Sequence, residues 1–423
     1  MADDYCYNVY MQMRQKLHIE YRGIDLTKVM AHDLGRVAFN QNSTNLIWEI
    51  LYSFFLTINF LMLKNSIVHN KFVCIYSVDR TDYLDQIEQT FTDIESYEIW
   101  LLNKFPSQKY FRGFRIIKAI YFVLFRLGIE KFTLSQILFI SSRIVYYQNL
   151  TDQLHKTFNY YDCSEKVFVA FNSAYTIENL MTQFFNQKGC QTFSLSHSFF
   201  VNYKKFIPLD IINGQCITSK KILVWGESSK NDLYTNFGVS KDMIEVVGNP
   251  KYGKKSIRIK NSFSKCIVIL GRKIYEETNV EVINILKNFL KQEPSIKFEL
   301  KLHLSLDSSF YEKLCLDTNI TVIDGKQSLT ELFKYKGYDF SIVNNSTAYY
   351  EAMYYDLICF RYEPSENENF IGLNDYFHNS ISLSQKIMTF KTKNLEELNE
   401  QVNNLLGDTI GMGINRYKEV LNH

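Results

Sequence analysis

Ile267-Val268-Ile269-Leu270-Gly271-Arg272-Lys273 is a short apolar run that stops abruptly at a glycine and two cations. Four consecutive aliphatic residues read as a strand buried on both faces, the kind found in parallel sheets. The glycine marks the loop at its carboxyl end, where open α/β sheets bind their ligands. Downstream the pattern repeats. A helix is predicted from about Asn279 to Gln292, a strand over Lys297 to Leu302, and another over Ile320 to Ile323. A helix from Ser328 to Tyr335, a strand over Phe340 to Val343, a helix from Thr347 to Tyr355 and a strand over Leu357 to Phe360 follow. A last helix is read at Asn394 to Leu406.

Upstream, the same alternation begins at Lys166. Val167 to Phe171 reads as a strand and Thr176 to Gln187 as a helix, closed by Gly189. Thr192 to Ser196, Lys221 to Trp225 and Ile244 to Val247 are further strands, with a helix over Ser228 to Phe237. Lys251 to Ser264 is basic and poor in apolar residues, and is read as a linker. The expected fold is therefore α/β, two Rossmann-like domains facing each other across a cleft, divided as 1–255 and 256–423.

The first 161 residues are read as helix-rich, with one early strand over Lys71 to Val78 and an acidic helix-like stretch from Asp82 to Glu98. Leu46 to Leu63 is apolar but interrupted by Glu49, Ser53, Thr57 and Asn59, which suits a buried or interfacial helix better than a spanning one. Phe111 to Tyr147 interleaves aromatic residues with Arg112, Arg115, Lys118, Arg126 and Lys131. It reads as a core helix pair with solvated cations, or as a face that touches a membrane.

Composition removes several function classes. Apolar residues make up 46% and charged residues 22% of 423, enough for two cores and unlike a disordered chain. With 47 basic and 45 acidic residues there is no broad electrostatic footprint for nucleic acid. The eight cysteines are scattered, without zinc or redox spacing, and imply a reducing compartment. The acidic start, Met1-Ala2-Asp3-Asp4, lacks the order of a secretory signal, so the expected location is the cytoplasm, including the inner face of the membrane.

The candidate chemistry sits at strand ends in the second half. Gly271 permits close approach, and Arg272 and Lys273 can meet a phosphate; an ordinary turn has the same composition. His303, at the end of the Lys297 to Leu302 strand, can donate to a phosphate or serve as a surface residue. Asn344-Asn345-Ser346-Thr347 opens the next helix and offers hydroxyls and N–H groups to an anion, or simply caps the helix. Glu351, one turn deeper, can accept from a ribose or pair with a lysine.

Asn345-Ser346-Thr347-Ala348-Tyr349-Tyr350-Glu351 preceded by Lys301-Leu302-His303 resembles the serine/threonine and histidine motifs of bacterial GT-B sialyltransferases, polysialyltransferases and related capsule enzymes. Val224-Trp225-Gly226-Glu227 and Val246-Val247-Gly248-Asn249-Pro250 resemble a segment of capsule and teichoic-acid transferases. Ser196-His197-Ser198 matches the place of their His-Gly pair, with serine for glycine, and Leu304 stands where the sialyltransferase-like pattern has proline. The likeness covers about Lys166 to Phe360.

It implies a glycosyltransferase that moves a sugar from a nucleotide-activated donor to a surface glycan or lipid-linked glycan, without a cofactor and without a metal. His303, Ser346 and Thr347 would bind the donor nucleotide. His197 would face the acceptor or reacting centre from the N-terminal domain. Apart from the resemblance, the place of His197 after a strand of the N-terminal half makes it the first candidate for the catalytic base, with Asp79, at the end of the Lys71 to Val78 strand, as the second; a structural histidine and a solvated aspartate are the rival readings. A teichoic-acid-type polyol phosphotransferase, a nucleotide-sugar epimerase and a non-catalytic glycan-binding protein share the same expected fold.

Overall fold

The structure, a computed structural model, describes residues 2–39, 46–128, 132–196, 209–323, 325–344, 346–363 and 371–422, the side chains at 2–4, 209–211 and 274 excepted. The chain forms two compact units. The first comprises Met1–Trp225, Ser229–Lys251 and Asn415–His423, the second Gly226–Ser228 and Tyr252–Ile414.

The first unit is built on six parallel strands: β1 Phe72–Tyr76, β2 Tyr97–Leu101, β3 Val167–Ala170, β4 Gln191–Leu195, β5 Lys221–Val224 and β6 Ile244–Val246. Their order in the sheet is β6-β5-β4-β3-β1-β2. Register pairs Val73 with Phe168, Phe168 with Thr192, and Ser194 with Ile222. β1 and β3 are buried along their whole length, as uninterrupted apolar runs in a covered sheet should be. Successive side chains point to opposite faces, so Val73 and Ile75 join one apolar cluster and Phe72, Cys74 and Tyr76 join the other.

The first cluster lies under a thick helical layer. Its centre is a helix over Leu134–Thr157, opened by a Thr133–Gln136 capping box and buried along most of its length. Helices Gly113–Leu127 and Leu46–Phe55 both pack on it. Three expectations for this region change. The apolar stretch from Leu46 to Leu63 is split, because Leu56–Ile58 leaves the helix and pairs antiparallel with Ser107–Lys109. The acidic stretch after Asp82 is helical only over Thr81–Phe91, and Tyr97–Leu101, whose β-propensity the neighbouring acids mask, is an edge strand. The C-terminal residues, read with the second domain, cluster with the first unit: Tyr417 is buried and donates to Gly248 O at 2.8 Å, and Arg416 N donates to Val247 O. Gly248 accepts that hydroxyl from a turn with φ +84°, a conformation that favours glycine.

The second unit has six more parallel strands: β7 Lys265–Ile269, β8 Lys297–Lys301, β9 Ile320–Ile323, β10 Phe340–Val343, β11 Ile358–Tyr362 and β12 Tyr376–Phe377. Their order is β9-β8-β7-β10-β11-β12. Ile267 pairs with Glu299 on one side and Ser341 on the other. The chain starts in the middle, winds outward one way through β8 and β9, then returns to the other side of β7 with β10. This is the order of dinucleotide-binding sheets, and the direction of winding reverses between β7 and β10. Helix Leu395–Ile410 is longer than expected, capped by Asn394 and ended by Gly411 in the left-handed region. Among the described residues no helix is long and apolar enough to cross a membrane.

Candidate functional site

Parallel strands bring their carboxyl ends to one edge, and a crevice forms where the winding reverses. In the second unit that place lies between the ends of β7 and β10, at Gly271 and Asn344. The two loops are locked together by asparagines. Gly271 N donates to Asn279 Oδ1 and Asn279 Nδ2 donates to Gly271 O, each at 3.0 Å. Asn344 Nδ2 donates to Asn279 Oδ1 at 2.7 Å and to Thr278 Oγ1 at 3.0 Å. Asn279 and Asn344 are fully buried, and Asn344 Oδ1 has no partner among the described residues. Gly271 has no room for a larger residue without movement: a Cβ there would lie 3.0 Å from both Asn344 O and Tyr275 Cδ2.

β8 delivers His303 to the same edge. Ser305 N donates to His303 Nδ1 at 3.1 Å, and Ser305 Oγ lies 2.9 Å from that nitrogen. With Nδ1 engaged as an acceptor, the neutral ring carries its proton on Nε2, which becomes the donor. Ser305 Oγ also accepts from Lys273 N at 3.0 Å. One serine thus ties the His303 turn to the Gly271-Arg272-Lys273 loop. Beneath them Lys301 is buried, with its Nζ donating to the backbone carbonyls of Leu302 and Gly325.

On the other side of the crevice, Ser346 Oγ accepts from Ala348 N at 3.2 Å, opening a helix of seven residues, Ala348–Tyr354. Thr347 is exposed at the position before this helix, and its side chain makes no cap hydrogen bond. Asn345 lies outside the described residues. Glu351 accepts from Thr330 Oγ1 at 3.1 Å, which ties it to the helix after β9. At the end of β11 the edge is closed by a buried ion-pair group, Arg361 with Glu363 at 2.5 Å and with Asp375 at 3.0 Å. The structure therefore ties Lys273, in the loop that begins at Gly271 and Arg272, to the His303 turn through Ser305, with Ser346 and Thr347 following strand β10 on the same sheet edge.

The first sheet reverses its winding between β1 and β3. Its crevice is occupied by a carboxyl group that sequence reading did not single out. Glu178, fully buried, accepts from Ser77 Oγ at 2.6 Å and from Asn172 N at 2.7 Å. Burial pushes its pKa up to about 8, against the opposing pull of these donors. Asp79 is two residues past Ser77 and exposed. His197 lies outside the described residues; the residue before it, Ser196, follows β4, its N donating to Leu223 O and its carbonyl accepting from Gln86 Nε2 at 2.7 Å. Among the described residues no cluster of three or more His, Cys, Asp or Glu forms a metal-ligand set.

No protein family matches the chain by sequence, and neither does any curated protein. Solved structures resemble it. TarM of Staphylococcus aureus, in a complex that includes UDP, is 15% identical over 62% of this chain, with a TM-score of 0.40; the chain spans only about half of TarM's length, 56%. MnaA of S. aureus, solved with UDP, is 11% identical over 84% of this chain and 95% of its own, with a TM-score of 0.48. A candidate UDP-N-acetylglucosamine 2-epimerase of Listeria monocytogenes is 10% identical over 83% of this chain and 95% of its own, with a TM-score of 0.50. At that identity the last likeness carries architecture alone: the chain has an α/β fold of the GT-B class, with two Rossmann-like units each built on its own parallel sheet.

Proposed function

We propose that the protein is a glycosyltransferase that takes a sugar from a nucleotide-activated donor and transfers it to a surface-glycan acceptor, free or lipid-linked, without a metal. The observation that carries this reading is the Ser305 tether, which puts the His303 turn against the Gly271-Arg272-Lys273 loop where the second sheet reverses its winding. A diphosphate or monophosphate leaving group needs such an arrangement: a tight glycine loop for close approach, a cationic side chain and a fixed imidazole donor. Ser346 and Thr347 would extend the donor contacts. His197 would take the acceptor proton, with Asp79 as the alternative base.

Nucleotide binding raises apparent stability by mass action, so a thermal-shift series with cytidine, uridine and guanosine nucleotides reads the donor base directly. His303→Ala and Ser346→Ala are each expected to weaken binding of the preferred nucleotide about ten-fold, the worth of one charge-assisted hydrogen bond. An unchanged shift in both variants would defeat the site. The epimerase fold-relative motivates one control: incubation of the matching nucleotide sugar without acceptor. Isomerised nucleotide sugar there would replace transfer with epimerisation as the activity.

A further inference from the structure

Helix Gly113–Leu127 is apolar on both sides. Ala119, Val123 and Leu127 are buried inward, on the side that packs on the Leu134–Thr157 helix. Phe114, Ile117, Tyr121 and Phe125 form the opposite stripe, and each is about 70% exposed (67 to 75%). A helix apolar all round is normally covered on both faces. Beside it, helix Leu46–Phe55 repeats the pattern with Ile47, Trp48, Leu51 and Phe55 exposed. The two elements are joined by the Leu56–Ile58 and Ser107–Lys109 pairing and by the stacked rings of Phe55 and Phe111, 5.1 Å apart. The stacked Phe55 and Phe111, both exposed, link the two exposed apolar stripes.

Its charge names the partner. Residues 104–128 contain six basic side chains and no acidic one. Lys104, Lys109, Arg112, Lys118 and Arg126 are exposed around the stripe. The one carboxylate of helix Leu46–Phe55, Glu49, is held by Arg36 and Arg143. A second copy of the chain would set these cations against one another. A bilayer with anionic headgroups offers the reverse: acyl chains beneath and phosphates above, matching an apolar stripe with a basic rim. Lys118 sits in the stripe with its Nζ 4.5 Å from the centre of the Phe114 ring, the posture of a cation that snorkels. Both residues line a cavity of about 420 Å3 with Ile19, Tyr21 and Phe122, room for part of an acyl chain.

We infer that this face of the first unit docks on the surface of an anionic phospholipid bilayer, with Phe114, Ile117, Tyr121 and Phe125 at the acyl boundary and Lys118 and Arg126 on the headgroups. The helix lies in the interface and does not cross it. Docking would bring the chain to lipid-linked acceptors, in keeping with the proposed function, yet its test does not read nucleotide binding, so either reading can fail alone.

The test is flotation of the full chain with vesicles of phosphatidylcholine containing about one third phosphatidylglycerol, and with phosphatidylcholine alone. The chain is expected to float with the first and much less with the second. Lys118→Glu/Arg126→Glu should lower partitioning by at least about 25-fold, about five-fold for each cation near the surface. Ile117→Ser/Phe125→Ser should lower it about ten-fold or more. All four positions are exposed, so both double variants should keep the native melting temperature. Equal partitioning of wild type and variants, absence of flotation, or a dimer in light scattering that the serine pair abolishes would each overturn the proposal.

Discussion

Glu178→Gln is expected to flatten the pH dependence of stability between about pH 5 and 8, whereas Glu178→Ala is expected to cost about 3 kcal/mol or more throughout. The folded carboxyl has a pKa of about 8 and the unfolded one a value near 4.5. Between those values the native state holds a proton that the unfolded chain has released. Stability is thus full below about pH 4.5 and falls as pH rises, by up to about 1.4 kcal/mol per unit, until the folded carboxyl has also titrated. Glutamine imitates the protonated form: its oxygen can accept from Asn172 N and its amide can donate to Ser77 Oγ, two of the partners Glu178 has now. Alanine takes this acceptor from the buried Asn172 N and from the half-buried Ser77 hydroxyl. Urea melts of wild type and Glu178→Gln near pH 5.5 and pH 7.5 separate this group from all others, because only the difference between the two proteins matters. Parallel slopes would show that Glu178 is ionised in the folded chain.

What could be read beforehand follows a physical division. The strand at Ile267 was legible because an unbroken aliphatic run has few other fates, and parallel topology then put Gly271 and His303 on one edge without further information. β12 was not, since two residues carry no periodicity. Ser305, Asn279 and Glu178 were missed for a shared reason: each acts through a hydrogen bond to a loop whose path is fixed by tertiary packing. A glutamate in the first turn of a helix looks like any surface glutamate, and only the neighbouring ends of β1 and β3 bury it. The aromatic and basic stretch around residue 117 was read two ways from sequence. Packing decides which side of the helix is core and which side is left apolar and open.

Asn279→Ala should be the most damaging single change in the second unit. Asn279 accepts from Gly271 N and from Asn344 Nδ2, and donates to Gly271 O, at distances of 2.7 to 3.0 Å. Truncation strips three buried groups of a partner, and at roughly 1–3 kcal/mol each the expected loss is about 4 kcal/mol. It also releases the loop that leads to Arg272 and Lys273, so the thermal shift with nucleotide should fall even in molecules that remain folded. Asn279→Asp sharpens the test. An aspartate keeps both acceptances but turns an oxygen toward Gly271 O, and a charge at a fully buried position favours protonation. The protonated form can donate to Gly271 O again. Relative to wild type, the aspartate variant should therefore gain stability as pH falls from about 7 to about 5, because its folded pKa lies above its unfolded one. A loss below about 1 kcal/mol for the alanine variant, or a pH-independent difference for the aspartate, would mean that the asparagine pair does not hold the two loops of the crevice together.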